Sequence, residues 1–141
     1  MIFLWGVAGY SRNCLADEAL AIITQRSNEL NSVTLDQLKW VYLRKLMLDS
    51  NGRRWIPINL PSANELRKAF SLTLFNKLPD DQESYWNEQY FQGIMPPEVL
   101  ASEEAVLRFV TITPGAIGYV WLHSVDDRVK VLKVISLSSK N

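Results

Sequence analysis

Apolar residues in this chain are spaced in two ways, as short unbroken runs and in steps of three and four, and the two spacings alternate. The run at residues 20–24 is followed by the polar Gln25-Arg26-Ser27-Asn28 and reads as a buried strand. Leu35, Leu38, Val41 and Tyr42 then mark one face of a helix, and Thr34 with Gln37 forms a capping box at its start. Asp49-Ser50-Asn51-Gly52 is a turn. Residues 55–60 give a second strand, in which Pro57 implies an edge position or a bulge. Ser62-Ala63-Asn64-Glu65 reads as a second capping box, ahead of a stripe of Leu66, Ala69, Phe70, Thr73 and Leu74.

Pro79-Asp80-Asp81-Gln82-Glu83 opens a third helix carrying Tyr85, Trp86 and Tyr90, and Gly93 with Pro96-Pro97 breaks the chain into a loop. A fourth stripe, Ala105, Leu107, Phe109 and Val110, opens at Ser102-Glu103-Glu104. It stops at Thr113-Pro114-Gly115, because proline lacks an N–H and clashes with the preceding turn. Pro-Gly also suits the centre of a type II turn, whose second central residue needs φ > 0. Residues 116–121 follow as a buried strand, and Gly118 within it points to close approach by another backbone or a ligand. Val129, Val131 and Ile135 alternate with Lys130 and Lys133 in a last strand, and the polar residues 136–141 are expected to fray. Strands alternating with helices predict an α/β fold with a mixed β-sheet flanked by helices.

The 141 residues suit one compact domain, and 48% hydrophobic with 11% aromatic residues supplies a core, which argues against disorder. Fifteen basic and fifteen acidic residues cancel, so charge gives no case for a nucleic-acid partner. No apolar stretch approaches the length of an integral membrane segment. Residues 1–16 differ from the rest: Phe3, Leu4 and Trp5 sit in an apolar run, and Cys14-Leu15-Ala16 offers small residues on either side of Leu15 before Asp17-Glu18. That pattern reads as a signal peptide, with residues 17–141 as the single mature domain. No Lys or Arg precedes the run, so a buried N-terminal strand is the alternative. Cleavage would remove Cys14, the only cysteine, which suits an oxidising compartment.

Candidate chemistry is sparse. His123 is the only histidine and stands near Ser124 and Asp126, but a triad is recognised by geometry and not by adjacency. Asp80, Asp81 and Glu83 read as acids favoured at a helix start and not as a metal cluster. Trp40, Trp55, Trp86 and Trp121 read as core or core-edge residues. Neither a nucleophile–base pair nor metal-ligand spacing is present, so the expectation is a protein that is not an enzyme and holds no cofactor.

The order of unusual residues is more specific. Leu35-Asp36-Gln37-Leu38, Val41-Tyr42-Leu43, Asn51-Gly52, Ile56-Pro57-Ile58, Leu66-Arg67-Lys68-Ala69-Phe70, Tyr85-Trp86, Phe91-Gln92-Gly93, Pro96-Pro97 and Pro114-Gly115-Ala116-Ile117-Gly118-Tyr119 follow one another. Together they resemble the phosphate-binding-protein-like family, whose larger members are periplasmic substrate-binding proteins of phosphate ABC transporters. The resemblance runs from about Leu20 to about Val134 and implies a single lobe of a type II periplasmic-binding-protein-like fold. Full-length members hold phosphate between two lobes, and this chain is similar to the short, exported, single-lobe members.

In the full-length family an Arg and a Gly-Ser-Gly-Thr run at a helix start carry the phosphate, a use of free N–H groups and the helix dipole. The resemblance places that Arg at Leu60, and puts Asn64, Glu65 and Leu66 in place of the hydroxyl-and-glycine run. Ser62, Asn64 and Arg67 remain as anion contacts, with residues 115–118, Gly115 first, as a backbone wall. An Arg is common at the position of Arg67 among the short members. Against this, a capping-box Glu65 would turn its carboxylate into the region an anion needs. Two functions stay open: an exported, non-enzymatic binder of phosphate or another small oxyanion, and an interaction module for an envelope protein or a second copy.

Overall fold

A computed structural model of the chain describes residues 18–137. Residues 1–16, with the expected export signal, and the expected frayed tail beyond Leu137 lie outside the described residues. The elements are β1 (Ala19–Gln25), α1 (Leu35–Tyr42), β2 (Ile56–Asn59), α2 (Glu65–Phe75), a 3₁₀ turn (Pro79–Gln82), α3 (Glu83–Phe91), β3 (Glu98–Val99), α4 (Glu103–Ile112), β4 (Ala116–Trp121), a 3₁₀ turn (Leu122–Ser124) and β5 (Val129–Ser136). The five strands form one sheet in the order β3-β2-β4-β1-β5. β2 is parallel to β3 and β4, while β1 runs antiparallel to both β4 and β5. The expected mixed sheet flanked by helices is therefore the observed architecture.

β1 lies inside the sheet, and its residues from Ala19 to Thr24 are all buried. This explains why its sequence is continuously apolar and not alternating. Side chains along β4 alternate between two covered faces. Gly118 faces α4, where an added Cβ would stand 2.8 Å from Val106 Cγ1, and Tyr119 faces α1 and α2. The strand glycine thus marks close approach by a helix side chain, not by a ligand. Thr113-Pro114-Gly115-Ala116 forms the expected turn, closed by the Ala116 N–H on Thr113 O at 3.2 Å, with Gly115 at φ +87°.

Three strand expectations need correction. β2 is an inner strand, not an edge. Pro57 is tolerated because the Ile56 N–H points to Gly115 O, just before β4, which turns the Pro57 nitrogen toward the side where pairing with β3 begins only at Ile58. β3 itself was read as loop. The smooth alternation expected in β5 is interrupted: Ile22 pairs with Lys133 and Ile23 with Val131, which leaves Leu132 as an extra residue in a bulge. The bulge changes the inward phase, so Val129, Leu132 and Ile135 are the buried positions. At the amino-terminal end of α4, Arg128 pairs with Glu104 at 2.9 Å and with Asp126 at 2.8 Å. These hydrogen bonds hold both carboxyl groups below their usual range.

Candidate functional site

The chain leaves β2 at Asn59, passes Leu60 and turns through Pro61-Ser62-Ala63-Asn64, a turn closed by the Asn64 N–H on Pro61 O at 2.9 Å. Because of that turn, α2 starts later than the capping-box pattern implies. The N-cap is Asn64, whose Oδ1 accepts the Arg67 N–H at 3.0 Å, and Ser62 is exposed in the turn. Glu65 is the first helical residue and reaches outward to Lys68 at 3.8 Å. Its carboxylate therefore does not fold back over the helix start, and the expected repulsion of an anion from that quarter falls away. An Asn64→Ala substitution should cost about 1 kcal/mol of stability by urea unfolding, the usual worth of a side-chain N-cap. Ser62→Ala should stay within about 0.5 kcal/mol, as an exposed substitution without a partner does. Equal losses at the two positions would return the cap to Ser62.

Arg67 stands one helical turn into α2. Its guanidinium donates to Leu60 O at 2.8 Å through Nη1. Among the described residues it has no carboxylate partner within 4.0 Å. Beneath it lies an aromatic floor. The Phe70 ring stacks on Tyr119 at 3.8 Å between centroids and meets the Tyr42 ring edge-on at 4.8 Å. The Tyr119 hydroxyl donates to Asn59 Oδ1 at 2.7 Å and accepts the Leu60 N–H at 3.3 Å. The Tyr42 hydroxyl donates to Ile58 O at 2.8 Å. Burial pushes both phenols well above their ordinary pKa, more than Arg67 nearby pulls them back, so both keep their protons and remain donors. The floor fixes the carboxyl end of β2, and with it the point to which Arg67 is tethered.

Arg67 opens into a cleft of about 570 Å³ at that end of the strand. Asn59, Asp80, Glu83, Trp86, Pro97 and Val99 are among the residues that line it with Arg67. The position obeys the rule that ligands of open α/β sheets sit outside the carboxyl ends of strands. Of the four residues nominated from sequence, the structure puts Arg67 in this cleft, with Asn64 at the start of the same helix and Ser62 in the turn before it. Gly115 is elsewhere: its carbonyl accepts from Ile56, at the opposite end of β2, roughly 13 Å away along the strand. Asn59, Asp80, Glu83 and Trp86 were missed as site residues. The two acids and the tryptophan were visible only as helix-start and core-edge residues, and Asn59 as the end of a strand.

Among the other candidates, Trp40, Trp55, Trp121 and His123 lie outside this cleft. Trp55 is buried, Trp121 is half-buried, as is Trp86 in the cleft, and Trp40, expected at the core or its edge, is 45% exposed on α1. His123 stacks on Trp121 at 6.1 Å, while the Asp126 carboxylate is engaged by Arg128. Among the described residues no cluster of His, Cys, Asp or Glu could hold a metal ion, and no helix is long and apolar enough to cross a membrane.

No family model matches the chain, and no curated protein matches it in sequence. Solved structures do match it in fold. An ABC-type phosphate transport receptor from Vibrio cholerae superposes with a TM-score of 0.69 at 19% identity, over 84% of this chain and 47% of the receptor. A putative phosphate ABC transporter substrate-binding protein with bound phosphate from Clostridium perfringens gives 0.69 at 20% identity, over 84% and 46%. PstS from Borrelia burgdorferi gives 0.64 at 19% identity, over 82% and 47%. The chain spans about half the length of each of these proteins, and its fold is that of a single lobe of the periplasmic-binding-protein-like α/β architecture they share.

Proposed function

We propose that this chain is an exported, periplasmic, non-enzymatic binding protein of the phosphate-transport type, which takes phosphate or another small oxyanion weakly at the Arg67 cleft. The observation that carries this reading is the tether from Arg67 to Leu60 O. Leu60 is where the resemblance places the family's arginine, and here a guanidinium returns to that point from helix α2. Its remaining N–H donors have no carboxylate to bind among the described residues, and a guanidinium fork matches an oxyanion. The lobe by itself offers the cleft one wall, which leaves much of a small ligand in water, so weak affinity is expected of the chain tested alone.

Titration calorimetry of the chain with inorganic phosphate tests this. Saturable binding is expected, and Arg67→Ala should weaken it about tenfold or more, the worth of a lost charge-assisted hydrogen bond. Absence of saturable binding to the unsubstituted chain overturns the reading. A second reading is favoured by apolar residues exposed within one segment of the chain: Tyr90 is 60% exposed, Phe91 85%, Met95 57% and Val99 51%. Large apolar side chains left this exposed are a feature of interaction surfaces. Failure to bind phosphate, together with a concentration-dependent dimer in the same samples, would replace the binder by an interaction module for an envelope protein or a second copy.

A further inference from the structure

The charges lining the cleft do not suit a bare oxyanion. Arg67 supplies one positive charge, while Asp80 and Glu83 supply two negative ones. The acids sit three residues apart, at the 3₁₀ turn and the start of α3, so they share one side of the chain there. Acids at a helix start are commonplace and relieve the dipole. What is unusual is that these two face a cleft with Arg67 and do not pair with it: no ion pair within 4.0 Å joins them among the described residues. The cleft therefore keeps both signs of charge available, on separate elements. Trp86 lines the same cleft and, with Arg67 and Phe70, the small gap of about 10 Å³ beneath it. An indole is the best aromatic partner for an ammonium group.

We propose that the ligand of this cleft is a zwitterion, an oxyanion joined by a short linker to an ammonium group, with the oxyanion on Arg67 and the ammonium between Asp80, Glu83 and Trp86. The proposal rests on the oxyanion reading above and adds the second charge to it. Inorganic phosphate gains the Arg67 contact but meets repulsion from two carboxylates. A phosphate ester of an amino alcohol converts that repulsion into attraction without giving up Arg67. The cleft volume lies within the range of small-molecule sites, so there is room for both groups.

Calorimetric titration of the full chain with inorganic phosphate, ethanolamine and phosphoethanolamine, each alone, tests it. Phosphoethanolamine should bind at least tenfold more tightly than phosphate, and ethanolamine more weakly than phosphoethanolamine. In the double variant Asp80→Asn, Glu83→Gln, the advantage of phosphoethanolamine should vanish and phosphate should bind more tightly than it does to the unsubstituted chain. Circular dichroism of the variant checks that α3 is kept. Phosphate binding as tightly as phosphoethanolamine overturns the zwitterion while leaving the oxyanion reading in place. Ethanolamine binding as tightly as phosphoethanolamine, or persistence of the advantage in the double variant, also overturns it. Binding of none of the three overturns both.

Discussion

Replacing Phe70 with alanine should lower the unfolding free energy by about 3–5 kcal/mol. The ring is 1% exposed and sits between Tyr119, stacked at 3.8 Å, and Tyr42, edge-on at 4.8 Å. Truncation removes the transfer energy of the ring and leaves a cavity that two tyrosines cannot fill. Their hydroxyls are fixed by Asn59 Oδ1, the Leu60 N–H and Ile58 O, so neither ring can swing inward without breaking a buried hydrogen bond. Phe70→Leu keeps most of the volume and should cost about 1.5 kcal/mol or less. Urea unfolding of the two variants reads both numbers. A loss under about 1 kcal/mol for alanine would mean that the floor collapses freely and does not hold the end of β2 in place. In the folded fraction of Phe70→Ala, weaker phosphate binding is expected as well, because Arg67 is tethered to the same strand end.

Gly115→Ala is the second large effect, about 2–5 kcal/mol by the same measurement. Two costs add. The residue holds φ +87°, where a Cβ is strained, and an added Cβ would stand 2.3 Å from the Arg54 carbonyl oxygen, a backbone atom that cannot rotate away. Gly93 separates the two terms, since it has φ +82° and nothing within 4 Å of an added Cβ. Gly93→Ala should therefore cost only the left-handed strain, about 1–2 kcal/mol. The difference between the two variants is the steric part, and its absence would mean the Gly115 turn can move away from Arg54. Ligand binding by the folded fraction of Gly115→Ala should be unchanged, because the turn lies at the amino end of β2 and the cleft at its carboxyl end.

What could be read before folding was mostly local. The Thr34–Gln37 capping box is present because both of its hydrogen bonds close within four residues, at 2.9 and 3.0 Å. Ser62 and Glu65 satisfy the same pattern, yet Asn64 caps, because a turn starting at Pro61 uses up the residues before it. The sequence pattern points to Ser62 alone, and only the turn shows that Asn64 is the residue at the helix start. β3 left no trace because it is two exposed residues whose only strand feature is pairing with Ile58 and Asn59. The bulge at Leu132 depends on the register with β1, from the other end of the chain. For the cleft, Arg67 is legible from the resemblance as an anion contact near a helix start. Its companions Asp80, Glu83 and Trp86 come from the next helix and reach the cleft only through tertiary packing.

Ile22 meets Tyr119 on one side and Lys133 on the other, so the earliest described strand finds its neighbours only among the last. As a ribosome extends the polypeptide, this mostly apolar segment waits unpaired while about a hundred further residues are made. Contacts so distant along the backbone slow the search for the native state and leave a sticky segment exposed meanwhile. A nascent chain in that condition is a natural client for holding factors.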